Sequence, residues 1–347
     1  MFFRYLDNNF IKPLINSYYT NIMTHHNKIK WGIIGLGSIA TQFADDLLLL
    51  EDAELVAVAS RNHENATAFA QKYNATKAYG SYDALFSDDD VEIIYIATPH
   101  NSHAELSIKA LENGKHVLCE KPLSLSYHDA SRMIEASIKH QKFFMEAFWT
   151  RFIPSVKEIL EKLDQGIIGA VKTIKADFAF YANEEDGGRL FDKNLGGGAL
   201  FDIGVYPLFL SYIMLGIPKE IIARSILHRN GIDLQTSMIL QYENAQSVLQ
   251  ASIVSDSDMK ATIAGNAGRI ELNSPWYVAN GFAIFKDGKE ENFSFPTLGK
   301  GYTYEAIECH NCIRNNQIES VLWSHQNSLD LSKIVEEIKN QIGLSFA

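Results

Sequence analysis

The side chains best able to do chemistry fall in short clusters along the chain. Gly35-Leu36-Gly37-Ser38-Ile39-Ala40 lies between a predicted strand and a predicted helix, where a dinucleotide fingerprint stands. Gly35 permits the tight turn and Gly37 lets backbone N–H groups approach a pyrophosphate, while Ser38 and Ile39 open the helix and the small Ala40 allows close packing. The competing reading is a purely structural glycine turn. At the end of the second predicted strand, where a carboxylate usually grips the ribose 2′-hydroxyl, this chain has Ser60-Arg61. A guanidinium clasps a 2′-phosphate in bidentate fashion and a hydroxyl donates to it, whereas a carboxylate repels it. The pair therefore points to NADP over NAD, unless Arg61 is a solvated loop residue partnered by Glu64.

Three further clusters follow predicted strands or lie beyond them, where open α/β sheets hold ligands. Thr98-Pro99-His100-Asn101-Ser102-His103 ends one strand at Pro99 and supplies polar groups able to line a cofactor. Glu120-Lys121-Pro122 places an ammonium at the ligand-facing edge, in a turn that a cis bond before Pro122 would fix. Gly196-Gly197-Gly198 leaves room for a ligand, and a helix starting just after it would put Asp202 and Tyr206, at i and i+4, on one face. A phenol with its usual pKa of ~10 is a poor base near neutrality, but an adjacent ammonium favours the phenolate, and Lys121 is the candidate. The alternative is a buried Tyr206 bonded to Asp202. His310 between Cys309 and Cys312 suggests a metal or redox motif, yet no second ligand pair follows at zinc spacing and the segment is helical, where packing is the usual role.

These clusters need elements to hold them. From Ile29 to Met145 short unalternating apolar runs switch with helical periodicity, the pattern of βαβ units feeding a parallel sheet covered on both faces. Strands are predicted at Leu55–Ala59, Ile93–Ala97, His116–Cys119 and Phe143–Ala147, and Ser126 with Asp129 caps a helix. After Pro154 β-rich runs at Val171–Tyr181, Ile221–Leu227, Ser237–Tyr242, Val248–Val254 and Phe282–Phe285 are separated by polar turns, which predicts antiparallel strands. Asp287-Gly288 marks a hairpin, Asn266-Ala267-Gly268 a second turn, and Tyr304–Arg314 and Ile334–Ile342 read as helices. The fold class is α/β: an N-terminal Rossmann domain with a parallel sheet, then an α+β domain with helices on one sheet face and the other left for a partner or solvent. The expected boundaries are 1–27 as an unstructured extension, 28–147 and 148–347. Met23, just before the first strand signal, is a candidate translation start.

With 347 residues, 46 % of them hydrophobic and 21 % charged, the chain has material for about two cores. Thirty-one Lys and Arg against 42 Asp and Glu give a net charge of -11, which repels nucleic acid and anionic lipid. No apolar run is seen to approach the ~20 residues of a membrane span. Three cysteines make no disulfide framework and suit a reducing, cytoplasmic setting.

In this order, Gly35-x-Gly37-x-x-Ala40, Thr98-Pro99 with His103, Gly114-Lys115-His116-Val117 leading into Glu120-Lys121-Pro122, and Gly197-Gly198-x-x-x-Asp202-x-Gly204 resemble the Gfo/Idh/MocA oxidoreductases, from about Lys28 onward. Within them, Glu146-Ala147-Phe148-Trp149-Thr150-Arg151-Phe152 and Asp202-Ile203-Gly204-Val205-Tyr206 resemble the dimeric dihydrodiol dehydrogenase and NADP-dependent D-xylose dehydrogenase branch. The resemblance implies a large, mostly antiparallel C-terminal sheet used to form homodimers or homotetramers. It implies that Lys121 is catalytic and that Asp202 is the family's motif Asp. Tyr206 stands where most members have His, which fits this branch. Trp149, Arg151 and Phe152 would lie near nicotinamide and substrate, a cyclic trans-dihydrodiol or an aldopyranose such as D-xylose. Other sugar or inositol substrates, and a non-catalytic NADP-binding regulator, are the alternatives.

Overall fold

The computed structural model describes residues 27–186 and 188–346, so the Met23 start and nearly all of the N-terminal extension lie outside the described residues. The first sheet is parallel throughout, with strands β1 (Ile29–Ile34), β2 (Ala53–Ala59), β3 (Lys77–Tyr79), β4 (Ile93–Ile96), β5 (His116–Glu120) and β6 (Phe144–Ala147) in the order β3-β2-β1-β4-β5-β6. Helices α1 (Ser38–Leu47), α2 (His63–Tyr73), α3 (Tyr82–Phe86), α4 (His103–Glu112) and α5 (Tyr127–His140) cover its faces. β4 is buried along its whole length, which is why it reads as an unbroken apolar run. β3 escaped the sequence reading because Lys-Ala-Tyr is three residues long at a sheet edge, with only partial burial. The strand order reverses between β1 and β4, and a crevice at such a reversal is where open sheets bind ligands. Ser126 caps α5 as expected, its hydroxyl accepting the Asp129 N–H at 3.1 Å.

After α6 (Pro154–Asp164) come the strands of the second sheet: β7 (Val171–Ala179), β8 (Glu220–Leu227), β9 (Asp233–Gln241), β10 (Gln246–Ser252), β11 (Ala261–Gly265), β12 (Arg269–Leu272), β13 (Gly281–Lys286) and β14 (Lys289–Ser294). Their order is β14-β13-β12-β11-β7-β10-β9-β8, antiparallel except for the β7–β10 pair. That parallel contact arises because α7 (Val205–Leu215) and the β8–β9 pair intervene before the chain returns to β7. The β13–β14 hairpin turns at Asp287 and Gly288 with φ of 52° and 72°, the left-handed pair that a tight hairpin demands.

Lys193–Leu215, 23 residues, does reach the length and apolarity of a membrane span, contrary to the sequence reading. The stretch is largely buried inside the protein, because α7 runs through the core against the second sheet, so the residues that make it apolar are core residues.

Helices α8 (Thr303–Arg314) and α9 (His325–Gln341) return to the first sheet. The Trp31 indole donates to Nε2 of buried His310 at 2.9 Å, so the ring proton is on Nδ1, which donates to Asp52 at 3.0 Å; Arg314 meets the same carboxylate at 2.7 Å. His310 is thus a packing hydrogen bond, and its neighbours Cys309 and Cys312 are buried free thiols. His310 first, then Arg314, hold the Asp52 carboxyl well below the usual range. A carboxyl depressed on folding stabilises above its unfolded pKa of ~4 and loses that contribution as pH falls through this range. Asp52→Asn is therefore expected to cost about 1–3 kcal/mol at pH 7, with the gap to wild type closing below pH ~4. Urea melts across pH check this; a gap that widens in acid refutes it.

Candidate active site

The glycine cradle follows from local geometry. Gly35 has φ +80°, and a Cβ there would stand 2.5 Å from the Ala97 carbonyl carbon, so glycine is required. Gly37 caps α1 with no side-chain hydrogen bond, which leaves the N–H groups of Ser38 and Ile39 uncapped, and a Cβ at Gly37 would meet nothing within 4 Å. Open space before an uncapped helix N-terminus fits a dinucleotide pyrophosphate. Ala40 is fully buried, the close packing expected of it. At the end of β2, Ser60 Oγ accepts the Asn62 N–H at 3.2 Å. Arg61 is exposed and, among the described residues, forms no ion pair with Glu64.

The Thr98–His103 cluster is mostly scaffold. His103 is fully buried between the Thr98 carbonyl at 2.8 Å and the Pro122 carbonyl at 3.0 Å, so it ties the end of β4 to the Lys121-Pro122 turn, whose peptide bond is cis. Burial lowers its pKa to about 4, and the neutral ring donates to one carbonyl at a time. His100 faces the Gly196 carbonyl through Nδ1 and Arg189 through Nε2 at 3.3 Å. Arginine only donates, so Nε2 accepts and Nδ1 carries the proton. Asn101 donates to the Asn194 carbonyl at 2.9 Å, Ser102 to the Thr98 hydroxyl at 2.8 Å, and Pro99 precedes the single turn His100–Ser102.

Lys121 and Tyr206 are brought together. The ammonium donates to the backbone carbonyl of Asp202 at 2.8 Å and lies 4.8 Å from the Tyr206 ring centroid. A π-helical turn at Leu200–Gly204, a local form common at functional sites, leads into α7 and sets this geometry. The Asp202 carboxylate does not touch Lys121: it pairs with Arg189, a residue absent from the sequence reading because nothing in Gly188-Arg189-Leu190 marks it locally. Nor does Tyr206 bond Asp202; its hydroxyl accepts from the Trp149 indole at 3.0 Å. Burial, ahead of any charge, drives the Tyr206 pKa well up, so an ammonium that favours the phenolate works against burial; burial also lowers Lys121, resisted by Asp202 and then Glu120. Glu120 is buried, accepting the Tyr95 hydroxyl and, at 3.2 Å, the Lys121 N–H, and burial raises it.

The glycine triplet is also corrected. A Cβ at Gly197 would stand 2.5 Å from the Leu190 carbonyl oxygen and one at Gly198 2.4 Å from Asp233 Oδ1, so these glycines admit the protein's own chain and not a ligand. Asp233 is a second residue that sequence reasoning missed. Its buried carboxylate accepts the Leu200 N–H at 2.8 Å and the Thr236 hydroxyl at 2.6 Å, capping the turn that carries Asp202 and Tyr206.

Of the aromatic segment, Trp149 reaches the site and packs at a tilt on Tyr302, ring centroids 4.8 Å apart. Phe148 packs on Phe209 at 4.3 Å in the core with an edge toward Tyr206, and Phe152 is fully enclosed. Arg151 is partly buried beside the Glu308 charge, and burial lowers its pKa. Phe178 and Tyr277, stacked at 4.2 Å, stand 5.3 and 5.6 Å from the Tyr206 ring; they arrive from β7 and from a turn near residue 277, distant in sequence.

Residues 29–148 match the family description "Oxidoreductase family, NAD-binding Rossmann fold", and residues 156–271 match "GFO/IDH/MocA C-terminal domain". The chain belongs to the Gfo/Idh/MocA family. Family relatives include the trans-1,2-dihydrobenzene-1,2-diol dehydrogenase of Xenopus tropicalis, 36% identical over 330 residues, 91% of this chain and 99% of that protein. The NADP(+)-dependent scyllo-inositol 2-dehydrogenase of Bacillus subtilis is 32% identical over 92% of this chain and 98% of its own. Among solved structures, a 3-ketoreductase from Actinomadura kijaniata in complex with NADP and TDP-benzene superimposes with a TM-score of 0.83 at 25% identity, covering 91% of this chain and 98% of that one. Membership of this family makes the protein an oxidoreductase that uses a nicotinamide cofactor on CH–OH donors.

Proposed function

We propose that this family member is an NADP-dependent dehydrogenase of cyclic diols, trans-dihydrodiols among them, or of aldopyranoses such as D-xylose. The observation that carries the reading is the Lys121 ammonium seated over the Tyr206 ring, beside a dinucleotide cradle. When bound, the nicotinamide supplies hydride acceptance and donation at its own C4. The protein's part is proton chemistry and positioning. Tyr206 takes the substrate hydroxyl proton at its Oη, with the Trp149 indole holding the oxygen in place. Lys121 donates to the reacting oxygen and favours the phenolate against the cost of burial. Arg189 holds the Asp202 carboxylate, and Asp202 through its carbonyl aims Lys121. Trp149, Phe178 and Tyr277 offer apolar faces to the carbon side of a ring. Retention of both Lys121 and Tyr206 favours an enzyme over a non-catalytic regulator.

NADP is favoured because Ser60 and Arg61, exposed and without an ion pair among the described residues, stand where a carboxylate would select NAD. Purified protein assayed with either dinucleotide on dihydrodiols, aldopyranoses and inositols tests the reading. Arg61→Ala is expected to weaken NADP+ binding at least tenfold (about 1.5–3 kcal/mol for a charged hydrogen bond) and leave NAD+ unchanged; equal loss for both removes the 2′-phosphate role. An inositol as the sole substrate turned over would favour the sugar–inositol alternative.

The second sheet supports a homodimer or homotetramer. Ile222, Ile239 and Val248 stand opposite one another across β8, β9 and β10, all exposed, and Ile226 and Tyr181 extend the patch. Light scattering of Ile239→Glu is expected to show a smaller species than wild type; a monomeric wild type would refute this. With all of its cysteines free, the chain suits a reducing, cytoplasmic setting.

A further inference from the structure

Asp46 stands in the last turn of α1, the helix that begins at the Gly37 cradle, and it is buried there. A carboxylate in that place opposes the helix dipole and gives up its water, so it needs donors of its own. A strap at 298–302 supplies them. The Lys300 N–H reaches both carboxylate oxygens, at 2.8 and 2.9 Å, and the Tyr302 N–H reaches one of them at 2.8 Å. Two glycines in left-handed backbone let the strap come this close: Gly299 with φ +61°, where a Cβ would overlap the Asp46 carboxylate, and Gly301 with φ +108°. The Lys300 ammonium on Asp45 at 3.0 Å and the Thr303 hydroxyl donating to the Leu298 carbonyl at 3.0 Å fasten it further.

The strap also lies against Trp149. A Cβ at Gly301 would stand 3.0 Å from the Trp149 ring, and the Tyr302 ring packs on the same indole with centroids 4.8 Å apart. The indole is buried, and its N–H donates to the Tyr206 hydroxyl at 3.0 Å. A donor fixed in that position stabilises a phenolate more than a phenol, and it leaves the other lone pair of the oxygen free for the substrate proton. Burial raises the Tyr206 pKa, and this hydrogen bond works against that rise. Three contacts in series thus run from the end of α1 to the oxygen that takes the proton. We propose that Asp46 and Gly301 are positioning residues for the proton transfer: through the strap they set the Trp149 indole, and the indole sets the Tyr206 oxygen. The inference rests on the reading of Tyr206 as the base and adds to it two residues distant from it in sequence.

The four tryptophans give four indole N–H cross-peaks in an NMR spectrum of the full-length protein, and Trp149→Phe identifies the one from residue 149. Tyr206→Phe should move that peak, because it removes the acceptor; Gly301→Ala and Asp46→Asn are expected to move it as well. At saturating cofactor Gly301→Ala should lower kcat at least tenfold, since displacing a catalytic group by about 1 Å can cost a hundredfold, while cofactor affinity changes little. In the Trp149→Phe background, which has already lost the indole donor, the same substitution should cost almost nothing further in kcat, whereas a merely structural role makes the two losses multiply. Alanine at 301 is strained by the positive φ; if that variant fails to fold, Asp46→Asn, which keeps both glycines and the shape of the side chain, decides by the same peak and the same cycle. An unmoved Trp149 peak, an unchanged kcat, or losses that multiply in the Trp149→Phe background overturn the proposal and leave Tyr206 as the base. Wild-type protein that oxidises no diol, aldopyranose or inositol with either nucleotide, or Tyr206→Phe with full turnover, overturns the functional reading and the part of the strap in catalysis with it.

Discussion

Tyr206→Phe is expected to lower kcat by about 10²- to 10⁴-fold, the usual contribution of a positioned acid–base group, while NADP+ affinity changes little. The substitution deletes one oxygen. The ring that sits 4.8 Å from the Lys121 ammonium remains, as do its contacts to Phe148 and Phe178. The one bond lost is that from the Trp149 indole, so stability should fall by only about 1 kcal/mol. Lys121→Ala should lose a comparable factor, because without the ammonium burial leaves the phenol protonated. The pH profile carries the sign. Oxidation by the wild type should rise with pH as the phenol gives up its proton, and Tyr206→Phe should flatten that rise. Full turnover in Tyr206→Phe would remove it as the base.

The second large effect is expected from a residue that touches no substrate. Asp233→Ala strips the cap from the turn carrying Asp202 and Tyr206, leaving the buried Leu200 N–H without its acceptor and the Thr236 hydroxyl with only the Ser225 hydroxyl at 3.2 Å. The orphaned N–H and the lost cap together cost about 2–4 kcal/mol. A thermal melt gives the stability loss, and kcat should drop at least tenfold, since misplacement of catalytic groups by about 1 Å can cost a hundredfold. Asp233→Asn, which keeps one acceptor oxygen, should fall between the two. A stable, fully active Asp233→Ala would show that the π-helical turn holds itself.

What could be read from the sequence was what is local. Gly35-x-Gly37-x-x-Ala40, the Ser126 cap and the Asp287-Gly288 turn each depend on neighbours within a few positions, and each takes the expected form. Lys121 and Tyr206, 4.8 Å apart but far apart in sequence, were legible only because each sits in a recognisable motif. Arg189, Asp233, Phe178 and Tyr277 sit in no such motif, and their importance comes from elements distant in sequence that meet only in the folded chain. The glycine triplet shows the opposite error: a local feature that implies space for a ligand is filled by a carboxylate and a carbonyl from elsewhere in the chain.

The return of α8 to the first sheet has a consequence for how the protein is made. Trp31, on the first strand of the sheet, finds its indole partner in His310, more than 270 positions later. At roughly 5–20 residues per second, a ribosome needs on the order of 15–60 seconds to supply it. During that interval the nascent sheet carries an uncovered flank beside Trp31 and Asp46, so the emerging chain is a natural client for chaperones. A premature stop before Thr303 would leave that exposure permanent and yield an aggregating fragment, even though every strand of the first sheet had been translated.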